Sequence, residues 1–389
     1  MWSDLEPLGR DPGTGGYRRY AWTRADLACR EWFAAEAARR GLEVEVDRNG
    51  NQWAWWGDPD TGGAVVTGSH LDSVPDGGAF DGPLGVASAL DAVDRIRAEG
   101  LRPARPLAVV NFTDEEGARF GVACAGSRLM TGSLDADRAR ALTDDDGTSM
   151  ADAMRAAGHD PAGVGRDDEA LARIGTFVEL HVEQGRALVD VGAPVGVASS
   201  IRPHGRWRLD LHGEANHAGT TLLADRHDPM LRLASAVVAA REHAQRRGAL
   251  ATVGRVQVLP NGTNAIPSLV RAWLDARGDD EQAVRDVVAA VGAAAGTEPV
   301  EESWSPEVAF GAALRDRLAG LLGDVPVLPT GAGHDAGILA GAGVPTAMLF
   351  VRNPTGVSHS PAEHAEADDC LAGAGALTRV LANLLTEQP

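Results

Sequence analysis

The stretch from Ala64 to Phe112, AVVTGSHLDSVPDGGAFDGPLGVASALDAVDRIRAEGLRPARPLAVVNF, decides the fold. Ala64 to Thr67 and Pro106 to Phe112 read as short strands buried on both faces, because their apolar runs are unbroken where a half-exposed strand would alternate. Between them, Pro83 to Glu99 reads as a helix, with proline pre-set at its start and Gly100 free to end it. Strand, helix, strand with this patterning indicates a mainly parallel sheet covered on both sides, an α/β architecture. The segment Gly68 to Gly82 then falls in the loop between the first strand and the helix. Parallel sheets gather their ligands at the carboxyl ends of strands, so His70 and Asp81, joined by a glycine-rich loop, can reach one metal. Asp72 is placed to accept the other imidazole N–H of His70 and fix its tautomer.

Outward from this unit, Thr23 caps a helix that runs to Arg40 and stops at Gly41. Leu42 to Asp47 and Gln52 to Trp56 alternate around Arg48-Asn49-Gly50 as a hairpin, with tryptophans 53, 55 and 56 half-buried. After Phe112 comes Thr113-Asp114-Glu115-Glu116-Gly117. Adjacent glutamates at a strand end point in different directions, so one carboxylate can bind metal while the other carries a proton. Thr176 to Val182 carries Glu179 and His181 on one face, and Gly356-Val357-Ser358-His359-Ser360-Pro361 follows an apolar strand, Thr346 to Val351. Four strand ends thus offer His, Asp, Glu, His and His. A lone histidine at a strand end is more often structural than ligating, whereas five donors arriving together point to metal.

Between residues 204 and 308 the pattern changes. Strands near Trp207–Leu211, Thr252–Val258 and Leu269–Ala276, with helices near Asp228–Gln245 and Asp279–Ala295, give β-α-β-β-α, an inserted α+β unit of ferredoxin-like type. The larger domain is therefore expected to be discontinuous, residues 1–203 and 309–389.

Composition bounds the chemistry. The 389 residues carry 36 basic and 55 acidic side chains, net −19, and every basic residue is arginine. Schiff-base and P-loop lysine chemistry are excluded, and so acidic a surface argues against nucleic acid and anionic membrane as partners. Cys29, Cys124 and Cys370 are too few and scattered for a disulfide framework or a cysteine zinc site. With no signal-peptide pattern at the start and no apolar run of about 18 residues, the expectation is a soluble cytoplasmic protein.

The segments GSHLDSVPDGGAFDG, DEEGARFG, ELHVEQG, GEANHAGTT, NAIPSLVRAWLDAR, GAGHDA and GVSHSPAE resemble, in order and over nearly the whole chain, the branch of the M20 metallopeptidase superfamily that holds N-carbamoyl-L-amino acid hydrolases, allantoate amidohydrolases and β-ureidopropionases. The resemblance implies a catalytic domain with two divalent metal ions, held by His70, Asp81, Glu116, His181 and His359, with Asp81 bridging. Ligands of nitrogen and oxygen without thiolate suit Zn2+, Mn2+, Co2+ or Ni2+. It implies Glu115 as general base and the inserted domain as dimer contact and lid. From that domain His217 would stabilise the oxyanion, and Asn264 and Arg277 would hold a substrate carboxylate. Gln184 and the loop containing Gly333 would line the pocket. The implied activity is hydrolysis of a linear amide, an N-carbamoyl-L-amino acid or allantoate, by a homodimer acting on a small anionic substrate. N-formimidoyl or N-formyl amino acids, peptide or acyl substrates, and a silent metal-binding module are the alternatives. Leu222-Leu223 after HAGTT and Thr330 before GAGHDA depart from the family pattern; they bear on the substrate and leave the metal residues untouched.

Overall fold

The computed structural model describes residues 1–387 and falls into two compact units. One comprises Met1–Ser200 and the chain from Ala309 onward; the other is Ile201–Val308. The first junction thus lies at Ser200/Ile201 rather than at 203/204.

The strands before the insertion are β1 (Glu43–Val46), β2 (Gln52–Trp56), β3 (Ala64–His70), β4 (Leu107–Phe112), β5 (Ile174–Val182) and β6 (Val195–Ile201). The inserted unit contains β7 (His204–His212), β8 (Asn216–His217), β9 (Leu250–Leu259), β10 (Ala265–Ile266), β11 (Leu269–Arg277) and β12 (Val300–Ser305). After it come β13 (Val308–Ala309), β14 (Val327–Thr330) and β15 (Thr346–Val351).

Among the described residues, the larger sheet has nine strands in the order β1-β2-β4-β3-β5-β15-β6-β13, with β14 beside β6. The central four, β4, β3, β5 and β15, are parallel. β1, β2 and β4 pair antiparallel, and β6 runs antiparallel to β15. Every residue of β3, β4 and β15 is buried, which is why these strands appear in the sequence as unbroken apolar runs. The helix Pro83–Ala98 presents Leu84, Val86, Leu90, Val93 and Ile96 to a core shared with Leu377, Leu381 and Leu384 of the C-terminal helix Ala367–Leu385. Each such side chain contributes about 1.5–3 kcal/mol by leaving water. Trp53 and Trp55 are 3% and 4% exposed, more deeply buried than a two-stranded hairpin would leave them. The reason is that β2 continues the sheet by pairing with β4.

Within the inserted unit, β7, β9, β11 and β12 form an antiparallel sheet in the order β12-β7-β11-β9. The helices Pro229–Arg247 and Glu281–Ala295 complete a β-α-β-β-α-β chain path, ferredoxin-like in order and direction. Here the strands do alternate. Trp207, Leu209 and Leu211 face a core with Val270, Leu274, Val284 and Val291, while Arg206, Arg208 and Asp210 lie on the other face.

Candidate metal centre

Parallel pairing sets the geometry of the centre. His70 is opposite Phe112 at the ends of β3 and β4, and His181 is opposite Phe350 near the ends of β5 and β15. All four strands therefore release their polar residues at one edge. After β4, Asp114 adopts φ +54°, a left-handed turn that sends Glu115 and Glu116 back across this edge. His359 reaches it from the loop after β15, also with a positive φ of 54°.

The five expected ligands converge. His70 Nε2 and His181 Nε2 lie 3.5 and 3.1 Å from Asp81 Oδ1, and His359 Nε2 lies 3.5 Å from Asp81 Oδ2 and 3.6 Å from Glu116 Oε2. Asp81 thus belongs to two donor groups, one with His70 and His181, the other with Glu116 and His359. Glu115 sits beside them, its Oε2 3.9 Å from His70 Nε2. Apart from His359, whose side chain is 42% exposed, these groups are buried.

The donor set fits cations. Despite their approach to Asp81, the buried Nε2 atoms of His70 and His181 make no hydrogen bond. Imidazole lone pairs and carboxylate oxygens that crowd together without bonding one another are aimed at common points, and two divalent ions are the species those points suit. Their other ring nitrogens are held as metal-bound imidazoles require: His181 Nδ1 is 2.8 Å from the Val182 carbonyl, and His70 Nδ1 is 3.1 Å from the Asp72 carbonyl.

Asp72 behaves differently from the expectation. Its carboxylate stands 3.5 Å from His70 Nδ1, farther than its own main-chain oxygen. Instead it accepts the backbone N–H groups of Glu115 at 3.1 Å and Glu116 at 3.0 Å. One side chain thereby sets both glutamates, because the strand-end turn has left their N–H groups without a ladder partner.

The sequence reading missed Glu363. Its Oε1 accepts the N–H groups of Phe80 and Asp81 at 2.9 and 3.0 Å, and its Oε2 accepts Ser358 Oγ at 3.1 Å. Glu363 ties the Asp81 loop to the His359 loop, and the only sequence signal was its place at the end of GVSHSPAE. Gln184 Nε2 donates to Asp81 Oδ2 at 2.9 Å and to Ser358 Oγ at 3.2 Å, so Gln184 first serves to orient the shared aspartate. Gly82, at φ +83°, allows the chain to pass His70: a Cβ there would lie 2.5 Å from the imidazole Cε1.

A second buried layer lies behind the ligands. Glu179 accepts Ser69 Oγ at 2.7 Å and the Ala336 N–H at 3.1 Å, while Asp335 accepts Ser127 Oγ. His334 follows Gly333 and places its ring 4.4 Å from that of His181. Burial, then the neighbouring Glu179, pushes Asp335 up to about 8. Glu115 is also raised well above the usual carboxylate range, by burial first and by Glu116, Asp335 and Asp72, with His70 opposing. Asp81 goes the other way: burial would raise it, yet His181 and His70 hold it well below the normal range.

His217, Asn264 and Arg277 belong to the inserted unit. There β8 pairs with β10, and the Ala218 N–H donates to the Asn264 carbonyl at 2.9 Å, so His217 and Asn264 are neighbours on exposed chain. Arg277 is the last residue of β11, its Nε and Nη2 on the Asp275 carboxylate at 2.6 and 2.9 Å. The whole of β11 separates it from Asn264, a span of about 25 Å at strand rise. One inserted unit does not bring Asn264 and Arg277 together.

The profile of peptidase family M20/M25/M40 matches residues 66–383. An N-carbamoyl-L-amino acid amidohydrolase of Geobacillus stearothermophilus is 38% identical over 96% of this chain and 94% of its own. Allantoate amidohydrolase of Escherichia coli is 32% identical over 98% and 95% of the two chains. Among solved structures, an amidase of the hydantoinase/carbamoylase family from Burkholderia vietnamiensis superposes with a TM-score of 0.91 at 30% identity, covering 100% of this chain and 96% of that one. A shared-aspartate centre at the carboxyl edge of a parallel sheet, an inserted ferredoxin-like unit and similarity running nearly end to end together place this chain in peptidase family M20/M25/M40, in its branch of carbamoyl-amino-acid and allantoate amidohydrolases.

Proposed function

We propose that the protein hydrolyses the terminal carbamoyl or ureido C–N bond of a small anionic linear amide, an N-carbamoyl-L-amino acid or allantoate, releasing ammonia and carbon dioxide. The observation that carries the reading is the pair of donor groups sharing Asp81 with Glu115 at their flank. His70, His181 and Asp81 would hold one divalent ion, and Glu116, His359 and Asp81 the other, with Zn2+ or Mn2+ the best match and Co2+ or Ni2+ also suited to these donors. When bound, such ions polarise a carbonyl and acidify water.

Glu115 Oε2, the oxygen directed at the cluster, takes the proton of the attacking water and returns it to the leaving nitrogen. Asp72 holds Glu115 in place through its backbone, and Gln184 and Glu363 keep Asp81 facing its partners. His217 would stabilise the oxyanion, while Asn264 and Arg277 would grip the substrate carboxylate, with the Gly333 loop beside it. Because the whole of β11 lies between Asn264 and Arg277, we assign them to different copies acting on one substrate.

A homodimer follows from the same reading. β9 is an outer strand of its sheet and exposes Val256 and Leu259. The helix Pro229–Arg247 exposes Leu231 and Val238, two turns apart on one face, at 70% and 56%. An open strand edge beside an apolar helix face suits a second copy of itself. Sedimentation at the monomer mass of 40.5 kDa would refute it. Three free cysteines suit a reducing cytoplasm, and recovery of the protein from a secreted fraction would overturn that placement. Among the described residues no helix is long and apolar enough to cross a membrane.

The test is ammonia release by the metal-loaded protein over N-carbamoyl-L-amino acids, allantoate, formimidoyl-glutamate and dipeptides, with Glu115→Gln as control. The proposal expects ureido substrates to lead, and Glu115→Gln to keep its metal while losing about 10^2- to 10^4-fold in kcat. Faster turnover of dipeptides or formimidoyl-glutamate, or an active Glu115→Gln, refutes it.

A further inference from the structure

We propose that Cys124 is a positioning residue for Glu115, holding one carboxylate oxygen so that the other faces the metal cluster; this rests on the reading of Glu115 as the base. Cys124 is 2% exposed, and its Sγ–H donates to Glu115 Oε1 at 3.4 Å. The other oxygen, Oε2, is the one directed at His70 Nε2. A glutamate side chain ends in a broad, nearly free torsion, so a donor on one oxygen settles which oxygen meets the reacting atoms.

The backbone makes Cys124 a fixed reference. Its own N–H donates to the Glu115 carbonyl, that of Ala125 to Asp114 at 3.0 Å, and that of Gly126 to Thr113 at 2.9 Å. Three successive N–H groups at the start of the helix Ala125–Thr131 thus staple the Thr113–Glu115 turn, residue against residue. Cys124 itself takes a left-handed conformation, φ +55° and ψ +38°. Burial, reinforced by Glu115 and Asp335, keeps the thiol protonated. It therefore serves as a donor and is withheld from nucleophilic or redox chemistry. Among the described residues Glu115 Oε1 has no other hydrogen-bond donor given by the structure than this thiol.

The experiment compares Cys124→Ala and Cys124→Ser in the metal-reconstituted protein. Cys124→Ala is expected to lose about 3- to 10-fold in kcat, with KM and metal content unchanged, because one modest hydrogen bond is removed from the base alone. Cys124→Ser, which restores a donor, is expected to recover most of that loss. A structural role in packing would not distinguish the two variants in this way. Infrared absorption in the S–H stretching region gives a reading independent of turnover: the band missing in Cys124→Ala is expected to move to higher frequency in Glu115→Ala. An unmoved band overturns the proposal, as does an unchanged kcat in Cys124→Ala. If Glu115→Gln is inactive and Cys124→Ala behaves as wild type, positioning alone fails; if Glu115→Gln turns over normally, the assignment of the base fails with it.

Discussion

Replacing Asp72 by asparagine separates two roles for that side chain. Its carboxylate is buried and accepts two backbone donors, Glu115 N–H at 3.1 Å and Glu116 N–H at 3.0 Å, one on each oxygen. Asparagine offers only one acceptor, so one of these N–H groups must face an amide NH2. A buried N–H left unpaired costs about 1–3 kcal/mol. The turn can relieve that cost only by swinging away, and a shift of about 1 Å at a catalytic group is worth roughly 100-fold in rate. His70 keeps its hydrogen bond, because that runs to the Asp72 main-chain oxygen at 3.1 Å. The expected result for Asp72→Asn is therefore a fall of about 10- to 100-fold in kcat, with KM within about 3-fold and metal content intact. Steady-state ammonia release, combined with metal analysis of the same preparation, measures each part. A kcat within twofold of wild type would refute the reasoning. Loss of metal with normal turnover per remaining ion would return the carboxylate to the role of orienting His70.

Gly68 faces the backbone of β4, where an added Cβ would lie 1.9 Å from the Val110 carbonyl oxygen, and its φ is +150°. Gly68→Ala is expected to lower Tm by about 5 °C or more, or to prevent folding, and an unchanged melt would contradict the close strand approach. Chelation should lower Tm by several degrees, reversibly on adding Zn2+ or Mn2+, because it leaves the His70 and His181 Nε2 atoms buried without partners; equal melts with and without metal would count against the centre. Asp335 has its pKa raised from 3.8 to about 8, so between those values the folded protein holds a proton the unfolded chain has released. Stability of the metal-free protein should then fall as pH rises through this window. Asp335→Asn should gain about 1 kcal/mol or more at pH 8 relative to pH 5, and a pH-independent difference in denaturant titrations would refute this.

The larger sheet was legible because two-sided burial writes itself as continuous apolar runs, and because a polar motif lies at or just beyond the end of each of β3, β4, β5 and β15. The inserted unit was legible from the opposite sign, the alternation in β7 and β11. β6, Val-Gly-Val-Ala-Ser-Ser-Ile, escaped notice: its small side chains pack between β15 and β13 without a strong apolar signature. The site was legible as a set of residue types at strand ends, since ligand identity is chemical. Its support was not. Glu363 meets the Phe80 and Asp81 N–H groups across more than 280 positions of chain, and no spacing rule anticipates such a bond. The hold of Asp72 on the glutamates was not legible, because sequence tells that a carboxylate lies two residues after His70 and not that the turn after β4 delivers two N–H groups to it. The separation of Asn264 from Arg277 came only with the register of β11, which turned an intervening segment of unknown path into a rod.

The chain leaves the nine-stranded sheet at the end of β6 and returns at β13, and these two strands are neighbours in it, joined by a bond from Phe310 N–H to the Ser199 carbonyl at 3.0 Å. To the larger sheet, a ferredoxin-like unit of more than a hundred residues is therefore an excursion between two neighbouring strands. Topologically it is a cassette: exchange for another sequence, or excision with a short turn, would leave every strand that carries a metal donor in its original order. Variety in the inserted module, with the order of the donor-bearing strands unchanged, is what such an anchorage makes available to evolution and to protein engineers.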